Sequence, residues 1–220
     1  KKELCSEELC KPYAKYFDVP IVSPPQEILD RLAEGPMDPA LAIPIERRNE
    51  LLDPDPLSGD IGYCIMPDGS GYVAMLNKMP GVTAEMFDWW FYWHGLEGLR
   101  YKIWDADDHY DVSVAPEDLD RRLNQDLSVR ERYWNTTDLV YEDVGTGALD
   151  LYISFMSPKD FGYDMDLFKP PAALTAVNAN LGLKDPKTPL ATFTHIARET
   201  AEGIEIRHRF FLGWHIIDQK

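Results

Sequence analysis

The sequence predicts an α+β fold built on an antiparallel sheet, and three observations carry that prediction. Leu149, Leu151, Ile153 and Phe155 alternate with more polar neighbours, and the same period of two recurs in Ile204, Ile206, His208, Phe210 and Leu212, the mark of strands with one buried and one wet face. Met86, Trp89, Trp90 and Trp93 recur instead at three-and-four spacing, which gives one helix a broad aromatic face that must be buried. The strand-like segments follow one another through short turns with only occasional helices, the pattern of antiparallel neighbours rather than of βαβ units.

Taken in order, residues 1–58 are rich in proline and charge and read as an N-terminal helical arm preceding a domain over 59–220. Ser23-Pro-Pro-Gln26 places a capping serine, a first-turn proline and a glutamine ahead of Ile28, Leu29 and Leu32, with Gly35 as terminator, which predicts a short amphipathic helix. Prolines 36, 39, 44, 54 and 56 then hold the chain extended. Such an arm makes a homo-oligomeric subunit contact or wraps its own domain. Gly71-Tyr-Val-Ala-Met-Leu76 reads as a strand after the turn signals of Pro67-Asp-Gly-Ser-Gly71. Thr83 caps the tryptophan-rich helix, which runs to His94. Leu99-Arg-Tyr-Lys-Ile-Trp104 alternates and predicts a strand that leads into the acidic loop Asp105-Ala-Asp-Asp-His109. A short helix follows over 116–123, and strands are expected over 138–144, 149–156, 190–198 and 203–214. Residues 172–182 carry helix-forming alanines, but Thr175, Val177, Ala179 and Leu181 alternate, and we read a strand.

Bulk properties narrow the partners. Against 38 acidic residues stand 22 basic ones, a net charge of -16, which repels phosphate backbones and anionic headgroups; nucleic acid and membrane are not expected as partners. No apolar run approaches the roughly 20 residues of a spanning helix. The start Lys1-Lys-Glu-Leu lacks a secretory apolar core, so the expected location is the cytoplasm. Cys5, Cys10 and Cys64 match no zinc or redox spacing and read as ordinary thiols.

The run Trp89-Trp-Phe-Tyr-Trp-His94 through 99–104 to His109, with Val140-Tyr-Glu142-Asp-Val-Gly145, Thr194-His195-Ile-Ala-Arg198, Gly203-Ile-Glu-Ile-Arg207 and Phe210-Phe-Leu-Gly-Trp214, resembles the diacetylphloroglucinol and phloretin hydrolase family over about residues 60–214. The resemblance implies a helix-grip fold of the Bet v 1 and START-related kind, a curved sheet closing around a long C-terminal helix. It implies zinc as cofactor, held by His109 and Glu142. The family takes a further histidine, and a glutamate four residues later, from its C-terminal helix; the run from Phe210 to Lys220 ends mid-pattern, and that helix is expected beyond Lys220.

The residues themselves support parts of this. His109 sits among Asp105, Asp107 and Asp108, where either a ligand or a solvated histidine fits. Glu142 alternates with Val140 and Val144, and a carboxylate on an oily face needs a metal or an arginine as partner. His195 shares a face with Ala191, Phe193 and Ala197 and reads as a proton donor or a satisfied core residue. Tyr101 lies with Leu99 and Ile103, and its buried phenol wants a hydrogen-bond partner, a substrate oxygen or a backbone carbonyl. His94 reads as a helix-terminal cation or a packing residue; His208 and His215 carry no motif. The implied reaction is hydrolysis of the bond between an acyl group and a polyhydroxylated ring such as phloretin or an acylphloroglucinol, with His195 as acid and Tyr101 positioning a ring oxygen. The alternatives are a non-catalytic aromatic or lipid-binding protein of the same fold and a different metal enzyme, such as an oxygenase.

Overall fold

The computed structural model describes residues 3–214. His215 lies outside the described residues, and so does the C-terminal helix expected beyond Lys220; the last strand, expected over 203–214, ends at Leu212. The helices are α1 (Ser6–Leu9), α2 (Gln26–Ala33), α3 (Ala84–His94), α4 (Gly98–Lys102), α5 (Leu119–Leu123), α6 (Val129–Tyr133) and α7 (Pro158–Phe161). The strands are β1 (Gly62–Ile65), β2 (Gly71–Pro80), β3 (His109–Val114), β4 (Thr137–Asp143), β5 (Ala148–Met156), β6 (Thr175–Leu183), β7 (Thr188–Thr200) and β8 (Gly203–Leu212). Their hydrogen-bonded order is β1-β2-β8-β7-β6-β5-β4-β3, and the α+β expectation is met. Among the described residues no helix is long and apolar enough to cross a membrane.

The chain forms two compact units. One comprises Pro24–Asp88, Phe155–Leu181 and Pro189–Lys220. Its β1–β2 hairpin turns where Asp68 accepts from the Ser70 backbone at 2.9 Å, and β2 runs along β8 from Gly71 opposite Leu212 to Pro80 opposite Gly203. Gly203 is required by close approach, since a Cβ there would stand 2.4 Å from the Met79 carbonyl oxygen. The core gathers Leu51, Tyr72, Phe161 and Ile196. Part of the proline-rich segment joins this core, with Ile45, Leu51 and Leu52 buried. The chain there is not merely extended as the prolines predict, because it winds into 3-10 turns over Pro39–Leu41 and Ile45–Leu52. The predicted first helix is present as α2, two residues after its expected cap, and ends at Gly35 with φ +94.

The wet face expected of β8 is also corrected. Arg207 and Arg209 are fully buried beside buried Ile204 and Ile206. Asp60 makes that possible: its carboxylate accepts from Arg207 Nε at 2.8 Å and from Arg209 Nη2 at 2.6 Å, and the Leu57 backbone N–H donates to it at 2.8 Å. The carbonyls of Leu51, Asp53 and Asp55 take the remaining Arg207 donors, and the Tyr72 hydroxyl accepts from Arg209 at 2.7 Å. Polar side chains that read as solvent-facing are instead satisfied under the 51–60 loop.

The second unit comprises Lys1–Ser23, Trp89–Ser154 and Gly182–Thr188. Here β4 pairs with β3 on one side and with β5 on the other, from Thr137 opposite Ser154 to Asp143 opposite Ala148. Tyr101, Val112, Val140 and Leu151 form its small core. The N-terminal residues pack within this unit: Glu8 pairs with Lys102 at 2.6 Å, and Tyr13 meets the Trp93 ring edge-on at 5.3 Å.

Two sequence expectations fail in this unit. The predicted strand over 99–104 is instead helix α4: Leu99, Tyr101 and Ile103 keep a period of two, but Leu99 and Ile103 also stand i, i+4, and five residues cannot separate the two periods. The Ile103 N–H donates to the Leu99 carbonyl at 3.0 Å and closes the helical turn. The segment read as loop after Asp108 is strand β3, with Val112 and Val114 buried and Asp111 and Ser113 exposed. The helical face is corrected too. Trp89 and Met86 are exposed, while Phe87, Phe91 and His94 are buried, a second three-and-four stripe in the same helix.

Candidate active site

The site grows from the turn between α4 and β3. Asp105 accepts from the Asp107 backbone N–H at 3.1 Å, and its carbonyl accepts from the His109 N–H at 2.8 Å, so the acidic loop turns the chain into the sheet with His109 at the first position of β3. His109 stands directly opposite Glu142 of β4, and a register shift between His109 and Asp111 leaves an irregularity beside it. Such bulges re-aim side chains at sheet rims. The result is His109 Nε2 at 3.7 Å from Glu142 Oε2.

Tyr101 completes the cluster. Helix α4 buries its ring against His109, stacked at 4.1 Å and 16°, and its hydroxyl donates to Glu142 Oε2. On the other side of the sequence pair, His94 at the end of α3 stacks on Tyr101 at 5.6 Å and 17°, with its Nδ1 anchored 2.7 Å from the Trp90 carbonyl. Trp104 meets His109 edge-on at 4.9 Å. The structure brings Tyr101, His109 and Glu142 together and adds Trp104, which the sequence reading placed on the other face of the expected strand.

Burial dominates the electrostatics. The Glu142 carboxyl is pushed up by desolvation, partly opposed by the Tyr101 hydrogen bond. Desolvation carries the Tyr101 phenol far above its ordinary range, reinforced by the Glu142 charge. Desolvation also lowers His109 to about 4, against the opposing pull of Asp105. His94 falls to about 3 for the same first reason, so it is a neutral packing residue and not the helix-terminal cation that its position predicts. At neutral pH the imidazole is neutral and the phenol protonated, and they face a partly buried carboxyl whose ionisation desolvation opposes.

That donor set fits a divalent cation. Metal ligands must be deprotonated, and two ligands on one zinc at bond lengths near 2.1 Å stand roughly 3.4 Å apart, close to the 3.7 Å observed. Among the described residues no third histidine, cysteine or carboxylate joins the pair as a ligand group. His195 and Glu199 have the spacing of the family's helical ligand pair, but they lie in β7, where four residues span about 13 Å, too far for one ion.

His195 belongs to the other unit, and its neighbour there is His208, directly across the β7–β8 pair, with the two Nδ1 atoms 2.9 Å apart. Phe193 stacks on His195 at 4.6 Å. Burial first, then the neighbouring His208, holds His195 well below the ordinary imidazole range, and burial lowers His208 to about 4. His195 is therefore neutral near pH 7, which corrects the expectation of a group titrating at working pH. The partnership was findable, since 195 and 208 are equidistant from a turn centred between 201 and 202.

The model of the DAPG hydrolase PhiG domain family matches residues 43–220. The chain is 34% identical over 208 residues to a 2,4-diacetylphloroglucinol hydrolase of Pseudomonas protegens, covering 93% of this chain and 67% of that protein. It is 33% identical over 221 residues to a phloretin hydrolase of Eubacterium ramulus, covering all of this chain and 78% of that protein.

Proposed function

The chain belongs to the DAPG hydrolase PhiG domain family, and on that premise we propose that it hydrolyses the carbon–carbon bond between an acyl group and a polyhydroxylated aromatic ring, giving a carboxylic acid and a phloroglucinol-type phenol. The observation that carries the reading to particular residues is Glu142, a partly buried acid whose partners among the described residues are the Tyr101 hydroxyl and the neutral His109 ring.

In this reading His109 and Glu142 hold a zinc ion. Bound there, zinc would lower the pKa of a water towards neutrality and polarise the acyl oxygen. The remaining work falls to the chain. The Tyr101 hydroxyl gives its proton to Glu142 and so fixes that carboxylate, which leaves the phenol oxygen to accept from a ring hydroxyl of the substrate. The rings of Tyr101, His94 and the exposed Trp104 pack together beside the pair and offer aromatic faces to a flat phenol. Transfer of a ring hydroxyl proton to the acyl-bearing carbon gives a keto tautomer, so the acyl group becomes one arm of a β-diketone. Water adds to the acyl carbonyl and the carbon–carbon bond breaks; its electron pair returns to the ring as a phenolate, which takes up the proton released by the added water to leave the phenol and the carboxylic acid. To His195 we assign, from the resemblance, a part in turnover and none in holding the ion.

Incubation of the protein with phloretin and with 2,4-diacetylphloroglucinol, followed by chromatography, tests the proposal. Stoichiometric appearance of carboxylic acid and phenol is expected from at least one. Saturable binding of both without cleavage in the presence of zinc would replace the hydrolase with a binding protein.

A further inference from the structure

We propose that His208 is a positioning residue for His195, the two rings sharing one Nδ1 proton across the β7–β8 register so that they hold opposite tautomers. The proposal rests on the reading that His195 takes part in turnover, but the pairing itself stands on geometry. Two Nδ1 atoms 2.9 Å apart are within hydrogen-bond distance. Two protonated Nδ1 atoms would clash, and two bare ones would oppose lone pairs, so one nitrogen carries the proton and the other accepts it. In a neutral pair one ring is then the Nδ1–H form and the other the Nε2–H form.

The surroundings make that arrangement rigid. His195 is buried, stacked on Phe193 at 4.6 Å and edged by Phe210 at 5.5 Å. Residues 195 and 208 are direct partners in an unbroken ladder from Ala191 opposite Leu212 to Thr200 opposite Gly203, so the strands fix the distance between the rings. The Arg209 guanidinium, bonded to the His208 carbonyl at 2.8 Å, opposes a positive charge on the pair. The hydrogen bond therefore holds the orientation of His195 and ties its tautomer to the opposite one on His208, and its Nε2 is directed away from His208. This is the second-partner arrangement by which a histidine's far nitrogen is committed to one role.

Two-bond 15N–1H correlation spectra of the 15N-labelled protein at neutral pH test this without any substitution. One ring in each tautomeric form is expected for residues 195 and 208, assigned with His195→Gln and His208→Phe. His208→Phe should alter the His195 ring shifts and lower kcat about tenfold with KM within about twofold. His208→Gln, whose amide can still bond Nδ1, should recover at least half of the rate. Identical tautomers for the two rings, or His195 shifts unmoved by His208→Phe, would overturn the pairing. If the spectra show the pair while His195→Ala cleaves substrate at the wild-type rate, the role of His195 in turnover fails and so does the positioning of a reactive group by His208.

Discussion

Two carboxylates, a buried one in the first unit and a partly buried one in the second, are treated in opposite ways. Asp60 is met by two guanidiniums and a backbone N–H, and these partners outweigh its desolvation and hold its carboxyl below the ordinary range. Glu142 is met by a phenol and a neutral imidazole, and desolvation wins, raising its carboxyl. Folding satisfies the first charge from within the chain and leaves the second without a compensating cation among the described residues. An acid that the fold leaves less satisfied is a cost that, on our proposal, is retained for reaction, and the contrast would then separate a structural anchor from a reactive site.

The largest expected effect comes from removing the anchor. Asp60→Ala strands Arg207 and Arg209 without their shared partner and should cost about 3–5 kcal/mol of stability, read as a fall in the denaturation midpoint. A loss below about 1 kcal/mol would mean that the backbone carbonyls alone satisfy both guanidiniums. Acid should act in the same direction. His208, ordinarily near 6.5 when unfolded and about 4 when folded, stays neutral in the fold while the unfolded chain binds a proton. Its stabilising contribution is full above pH 6.5 and is lost as pH falls towards 4, by about 3 kcal/mol. Asp60, lowered by its arginines, loses its contribution further down as its carboxyl protonates. Equal midpoints at pH 7 and pH 4.5 would contradict this.

Glu142 should behave as the mirror image. Glu142→Gln removes a charge that the fold leaves uncompensated, so stability should hold or rise by up to about 1 kcal/mol, while acyl cleavage falls by at least about 100-fold. Loss of stability comparable to that of Asp60→Ala would erase the distinction between the two sites. Tyr101→Phe keeps the ring between His109 and His94 but loses the hydroxyl, and should lower kcat about tenfold, the worth of one charge-assisted hydrogen bond.

Much of this was legible before the coordinates. The alternation at 149–155 and 204–212 and the capped helix ending at His94 reported real elements, because each pattern ran long enough to show its period. The failures lie where a window was short or a partner was distant in sequence. Residues 99–103 satisfy helix and strand spacing equally, and β3 was hidden because Asp111 and Ser113 alternate with only two valines. Arg207 and Arg209 read as solvent-facing because their acceptor, Asp60, lies almost 150 residues away. Glu142 was found because an acid in step with valines already announces an unsolved charge. Register explains why His109 meets it, and the tight hairpin would likewise have paired His195 with His208.

The central claim is that the imidazole and the carboxylate facing each other across β3 and β4 bind one divalent ion. Metal content of the purified protein by mass spectrometry, compared among wild type, Glu142→Gln and His109→Ala after exposure to zinc and desalting, tests it most directly. The account predicts about one zinc per chain in the wild type and little in either variant, both still folded. Full zinc occupancy in both variants would contradict it.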